Sequence, residues 1–173
     1  MTVATQIALW EMPDGRILEW TVALKSRKQD DSGTFLETEE ECFNRQLTAY
    51  EQKPSSWARG ARRIGIKQRN ELPSERFRNC WRDSGDGTVK EDMPLARAQR
   101  LAEIRAERDR RFPPLDNEWM KATGQGNKTR AAAVEGVRQQ LRDIPNKLIA
   151  DGSLEGIATP EELEAFDPEW PDV

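Results

Sequence analysis

The sequence predicts an α+β protein: a small N-terminal ββαβ unit, then a C-terminal helical hairpin and a short acidic terminal helix. Three observations predict it. Two apolar stretches, residues 3–10 and 16–24, flank Pro13-Asp14-Gly15, where proline presets φ and glycine supplies a positive one. A capped helical pattern and one more alternating stretch follow before residue 70. Beyond residue 93, apolar residues recur at three- and four-residue intervals in two long blocks, as on amphipathic helices.

In chain order, the first two stretches read as a β-hairpin. Ile17, Glu19 and Thr21 alternate against Leu18, Trp20 and Val22. Residues 25–36 are polar and form a loop. Thr38 with Glu41 three residues on is a capping box. The helix it opens puts Phe43, Leu47 and Tyr50 toward the hairpin and runs to about Gln52, before Pro54. A loop carrying Trp57 leads to residues 62–68, a third strand with Ile64 and Ile66 on one face. Residues 71–93 read as a connector in which Phe77, Cys80 and Trp81 anchor onto a neighbouring surface and Ser84–Gly87 turns.

The hairpin spans residues 94–150. Its first helix runs from about Pro94 to Phe112, with Leu95, Ala98, Leu101, Ala102 and Ile104 as its stripe, and Pro113-Pro114 is expected to stop it. Leu115–Ala122 is a short helical turn, and Gly124–Asn127 a flexible joint. The second helix is expected from Thr129 to Asp143, with Val134, Val137, Leu141 and Ile144 as its stripe and Pro145 as its end. In the acidic segment, 151–173, Thr159 caps a helix that begins at Pro160, and Leu163, Phe166 and Trp170 are its anchors.

Of 173 residues, 36% are hydrophobic and 34% charged, so the interior per residue is thin. The expectation is a row of small packed units completed by partners. Charge is uneven. Between Ala58 and Arg82 eight basic residues face only Glu71 and Glu75, whereas Asp151–Val173 holds eight acids and no base. Such polarity can steer docking, or fold the tail back onto the basic middle.

Several chemistries are excluded. Histidine is absent, which removes Ser-His-Asp and Cys-His mechanisms and every His-bearing metal site. Cys42 and Cys80 are too few for a four-cysteine zinc site and read as buried free thiols, as in a reducing cytoplasm. No apolar run is long enough to cross a membrane, and the opening Met1–Gly15 lacks the basic start of a secretory signal. Gly124 and Gly126 follow no strand, so they are not a dinucleotide loop. Asp83, Asp86 and Asp92 lack calcium-loop spacing, and Glu161 and Glu162 serve a helix start. The chain is acidic overall and carries no nucleic-acid-binding motif, so nucleic acid is not an expected partner. No enzyme, cofactor or metal is expected. A polysaccharide-cleaving activity would need two spaced carboxylates in a cleft, and no motif places them.

One longer pattern remains. Leu72-Pro73-Ser74, Phe77-Arg78-Asn79-Cys80-Trp81, Val89 and Asp92-Met93-Pro94-Leu95-Ala96-Arg97 are followed by Ile104–Asp109, Leu115–Ala122, Gln140-Leu141-Arg142-Asp143-Ile144-Pro145 and Thr159–Leu163. This order of segments resembles small phage and prophage tail-associated proteins. The Leu-Arg-Asp-Ile-Pro segment is similar to one in tail-fibre assembly proteins and tail assembly chaperones. The resemblance covers roughly residues 71–165 and departs in the long acidic ending. It implies a protein made in the bacterial cytoplasm and residing in the virion tail. Its implied partners are tail-fibre, baseplate or other tail proteins and further copies of itself, and it implies no catalytic residue. A transient assembly chaperone, absent from the finished particle, is the alternative. Tryptophan and arginine dominate binding hot spots. The expected partner-binding residues are Trp81, Arg97, Arg105, Arg108, Trp119, Leu141, Phe166 and Trp170, with Trp81 and Trp170 foremost. The three arginines are expected to meet carboxylates within the chain or across an interface.

Overall fold

A computed structural model of the chain describes residues 6–21, 27–53 and 55–172. The expected strand ends at residues 3–5 and 22–24, the helix stop at Pro54 and the side chain of Trp57 lie outside the described residues. The fold is α+β and divides into two compact units, Met1–Asp92 and Met93–Val173.

The first unit is built on a three-stranded antiparallel sheet, β1 (Gln6–Glu11), β2 (Ile17–Trp20) and β3 (Arg62–Gln68), in the order β2-β1-β3. Central β1 buries Ile7, Ala8, Leu9 and Trp10 alike, so both faces of the sheet are covered. Ala8 and Trp10 meet helix α1 (Glu39–Gln52) through Phe43 and Leu47, with Trp20 and Tyr50 alongside. The rings meet edge to face, Trp10 on Tyr50 at 5.5 Å and Trp20 on Phe43 at 5.7 Å. Thr38 and Glu41 form the expected capping box, each backbone amide donating to the other side chain at 2.7 and 3.1 Å. The strand–strand–helix–strand order and the inward face of α1 are as the sequence predicts.

The opposite face explains residues 71–93. They are not a bare connector: they carry a second hairpin, β4 (Trp81–Asp83) and β5 (Val89–Glu91), and through Asp92 they belong to the first unit. Ile7, Leu9 and Ile17 project away from α1 and need a cover, which Trp81 and Val89 supply. Trp81 is wholly buried, and its Nε1 donates to the Ser74 carbonyl at 3.2 Å, which satisfies the one polar atom the ring takes into the core. In the turn, the Asp83 carboxylate accepts from the Gly85 amide and that of Asp86 from the Thr88 amide, both at 2.9 Å. Cys42 and Cys80 are free and buried, as expected.

The second unit corrects three expected boundaries. Helix α2 spans Met93–Gly124 without a stop at Pro113-Pro114, so the separate helical turn at Leu115–Ala122 is its continuation. Helix α3 spans Lys128–Ala150, begins after the cap Asn127 rather than at Thr129, and runs through Pro145. Proline breaks a helix by removing a donor and crowding the preceding turn. Here the two helices pack against each other beyond the prolines: Ile104 and Leu115 from α2 share one core with Val134, Leu141, Ile144 and Leu148 from α3. The expected joint at Gly124–Asn127 is a closed turn. The Asn127 amide donates to the Ala122 carbonyl and that of Gly126 to Thr123, with Gly126 at φ +71°, which is the Schellman pattern of a glycine-ended helix. Asn127 then caps α3, accepting from the Arg130 amide at 3.0 Å. Helix α4 (Pro160–Ala165) has the expected Thr159 cap, which Glu162 completes into a capping box, and buries Leu163.

Two outcomes follow. Trp81→Ala should destabilise the chain by about 3–5 kcal/mol, the range for emptying a buried aromatic site. Urea unfolding followed by circular dichroism measures it, and a loss below about 1 kcal/mol would contradict a core role. The second concerns Glu37, which is only 9% exposed and pairs with Arg45 at 2.5 Å. The hydrogen bond from Arg45 lowers its pKa from 4.5 to about 2. A carboxyl lowered on folding stabilises the fold above its ordinary pKa, and that contribution disappears as pH falls from about 4.5 towards 2. Carboxyl NMR titration should place the Glu37 midpoint near 2, and Arg45→Met should return it towards the ordinary range.

Candidate partner-binding surface

The expected partner-binding residues fall into three groups. Trp81 and Leu141 are core: Trp81 covers the sheet of the first unit and Leu141 lies in the seam between α2 and α3. Neither offers a surface, and this corrects the sequence-based expectation for both. The reason is local. Each stands where an apolar face of its own unit would otherwise be open to water.

Trp119, Phe166 and Trp170 are half-buried and pack against the same seam from outside. Arg138 lies over the Trp119 ring at 5.6 Å and Arg111 over Trp170 at 4.3 Å, so the exposed faces of both indoles meet cations of the same unit. The three arginines behave differently from one another. Arg97 donates to the Ile157 carbonyl at 2.7 Å rather than to a carboxylate. Arg108 pairs with its neighbour Asp109 at 2.7 Å. Arg105 is exposed, and no carboxylate pairs with it among the described residues.

The acidic tail is thereby placed. Within the second unit it lies against α2. Arg97 and Arg100 hold it by its backbone, with Arg100 donating through Nε and Nη2 to the Phe166 carbonyl, the Nε contact at 3.2 Å. The basic stretch is matched by acids of its own unit: Arg62 by Glu11 and Asp83, Arg63 by Glu51, and Arg69 by Glu19 and Glu75.

One opening on the second unit is a groove of about 340 Å³ where the start of α2 lies beside the end of α3. Pro94, Ala98, Leu101, Leu148, Ile149 and Leu154 give it apolar walls, with Arg97 and Glu155 also bordering it. Ile149 is 48% exposed, and Leu95, next to Pro94, is 38% exposed. Ile149 and Leu154 were not singled out in the sequence. A signal existed for the first: Leu148 continues the spacing Leu141–Ile144, so α3 had to pass Pro145 and carry Ile149 with it. Leu154 follows Gly152 in a turn and carries no periodic signal.

Among the described residues no cluster of three or more acidic or cysteine side chains could hold a metal ion, and no helix is long and apolar enough to cross a membrane. The groove offers apolar area with polar borders, the surface chemistry of protein association.

Arg100→Ala should loosen the tail, because the Phe166 carbonyl loses both donors. Hydrogen–deuterium exchange at the Leu163 and Phe166 amides, which close α4 onto Thr159 and Glu162, should quicken while the amides of α3 keep their protection. Unchanged exchange at both would show that Arg100 does not hold the tail. No protein-family model, curated protein or solved structure matches the chain.

Proposed function

We propose that the chain is a non-enzymatic structural or accessory protein of a tailed bacteriophage, binding tail-fibre, baseplate or other tail proteins in the virion through its helical second unit. The observation that carries the binding reading is the apolar groove between the start of α2 and the end of α3, with Ile149 exposed in its wall. Burying such a patch against a second protein is favourable by about 25 cal/mol per Å² of apolar surface, and its polar borders can select register. The assignment to a phage tail is supported by the ordered resemblance over residues 71–165 described above.

The second reading, a transient tail-fibre assembly chaperone, is favoured by the segment Leu141-Arg142-Asp143-Ile144-Pro145, whose resemblance is to assembly proteins. Both readings use the same groove and differ in whether the chain stays. Peptide mass spectrometry of purified particles should find this chain in the tail. Its absence from mature particles, with tail-fibre protein still co-purifying from lysates, would select the chaperone. In either case Ile149→Glu should weaken capture of the tail partner by about tenfold or more, as expected for a charge forced into an apolar contact, and leave the melting curve unchanged. Undiminished capture would remove the groove from the binding surface.

A further inference from the structure

The end of the chain is an extended strap, Phe166–Asp172, lying against the α2–α3 seam. Phe166 and Trp170 reach the core residues, and Pro168 between them is buried. Among the described residues, no backbone–backbone hydrogen bond ties Asp167–Asp172 to the helices. Its hold is two aromatic side chains, the stacking of Arg111 on Trp170 at 4.3 Å, and the bond from Arg100 to the Phe166 carbonyl at its start. Pro168 and Pro171 keep the segment extended before it docks, which lowers the entropy lost on docking. The strap does not fill its seat. A groove of about 540 Å³ runs beside it, with Gln140, Ile144, Lys147 and Leu148 of α3 on one side and Phe166 and Trp170 on the other. Outside the strap, the groove wall carries Lys147 and one acid, Asp151. Arg100, 3.9 Å from Asp167, and Arg111, over Trp170, hold the strap itself, so the cations at the seat outnumber that acid and favour an acidic chain.

We propose that this seat is a peptide-binding site whose ligand in trans is an extended, acidic segment of another polypeptide carrying an aromatic side chain beside proline, and that the chain's own strap occupies the site until such a segment displaces it. Side-chain anchoring without a ladder of backbone bonds makes the strap exchangeable. Its tether makes it a strong competitor, since a linked segment acts at an effective concentration on the order of millimolar. The proposal rests on reading the chain as a protein-binding molecule. It needs no phage component to test, so its failure leaves the Ile149 groove and the particle measurement standing.

The probe is a labelled peptide with the sequence of residues 166–173, Phe-Asp-Pro-Glu-Trp-Pro-Asp-Val, titrated by fluorescence polarisation into three forms of the full chain. These are the unaltered chain, Trp170→Ala, and a chain lacking residues 169–173 that keeps Phe166 and Pro168. Both altered chains should bind the peptide at least about tenfold more tightly than the unaltered one, because the tethered competitor is weakened. Adding Arg111→Ala to the shortened chain should cost about threefold, the scale of a lost cation–π contact. Equal binding by all three chains, or none by the altered chains while they keep the melting curve of the unaltered one, would overturn the proposal. Loss of the fold in both altered chains would overturn it too, because a displaceable strap cannot be indispensable to the core beneath it.

Discussion

The second unit depends on the seam between α2 and α3 outweighing three prolines. Pro113, Pro114 and Pro145 deprive the carbonyls of Asp109, Arg110 and Leu141 of their helical donors, and an interior proline costs about 3 kcal/mol or more. Ending α2 at Phe112 would take Leu115, Trp119 and Ala122 from the seam, and ending α3 at Ile144 would take Leu148. A fully buried side chain of leucine size is worth about 1.5–3 kcal/mol, so Leu115 and Leu148, with Trp119 packed alongside, are a substantial gain that stopping at the prolines would forfeit. The placement of the rings lessens the cost. Pro113 and Pro114 are exposed, as are Asp109 and Arg110, where water can serve the freed carbonyls, while Pro145 is itself packed into the core.

That competition sets how much of the fold is legible in the sequence. The first hairpin, α1, β3 and α4 are readable because local signals agree with the packing: a Pro-Asp-Gly turn, two capping boxes and a period that matches the element. At Pro113, Pro114 and Pro145 the local rule and the tertiary one conflict, and only the second is decided by residues far apart in the chain. The clue was present in the unbroken spacing of Leu141, Ile144 and Leu148. Trp81 shows the other limit. A tryptophan at the end of an irregular stretch has the same local signature whether it anchors a partner or closes its own core. Only the uncovered face formed by Ile7, Leu9 and Ile17 distinguishes the two. The exposed apolar groove was legible only in part, since Leu154 enters it from a turn.

Charge is used inward. Of the three arginines expected to bind partners, Arg97 serves a carbonyl of its own unit and Arg108 pairs with Asp109, while Arg105 stays exposed. Arg100 also holds the backbone at Phe166, and Arg111 and Arg138 lie over the indoles of Trp170 and Trp119. Arginine suits these places because its planar, weakly hydrated head can stack on a ring and bond a carbonyl together. In the first unit several arginines of the basic middle meet acids of the same unit, and Glu19 is nearly buried between Arg69 and Arg78. The thin composition implied that apolar stripes seek cover on another protein; among the described residues of the second unit, the large apolar side chains left exposed are Leu95, Met120 and Ile149. Of the stripe expected on α2, only Ile104 is buried, while Leu95, Ala98 and Ala102 are exposed and Leu101 is half-buried; α2 meets α3 instead through Ile104, Phe112, Leu115 and Trp119.

This bears on what the phage-tail resemblance can mean. Its apolar positions Phe77, Cys80, Trp81, Val89, Ala96, Ile104, Leu115, Leu141, Ile144, Pro145 and Leu163 are buried, and Thr159 with Glu162 closes a helix. Ser74 receives the Trp81 indole. A pattern made of core side chains and caps reports how a chain folds, since exchanging any of them would open a cavity or leave a polar atom unpaired. It says much less about what the surface touches, because contact residues can change without cost to the core. The segments that carry the resemblance thus mostly build the interior, and the large apolar side chains left exposed among the described residues of the second unit are Leu95 and Met120 within those segments and Ile149 outside them. A relative with the same interior and a different strap would be expected to keep the fold and change its partner.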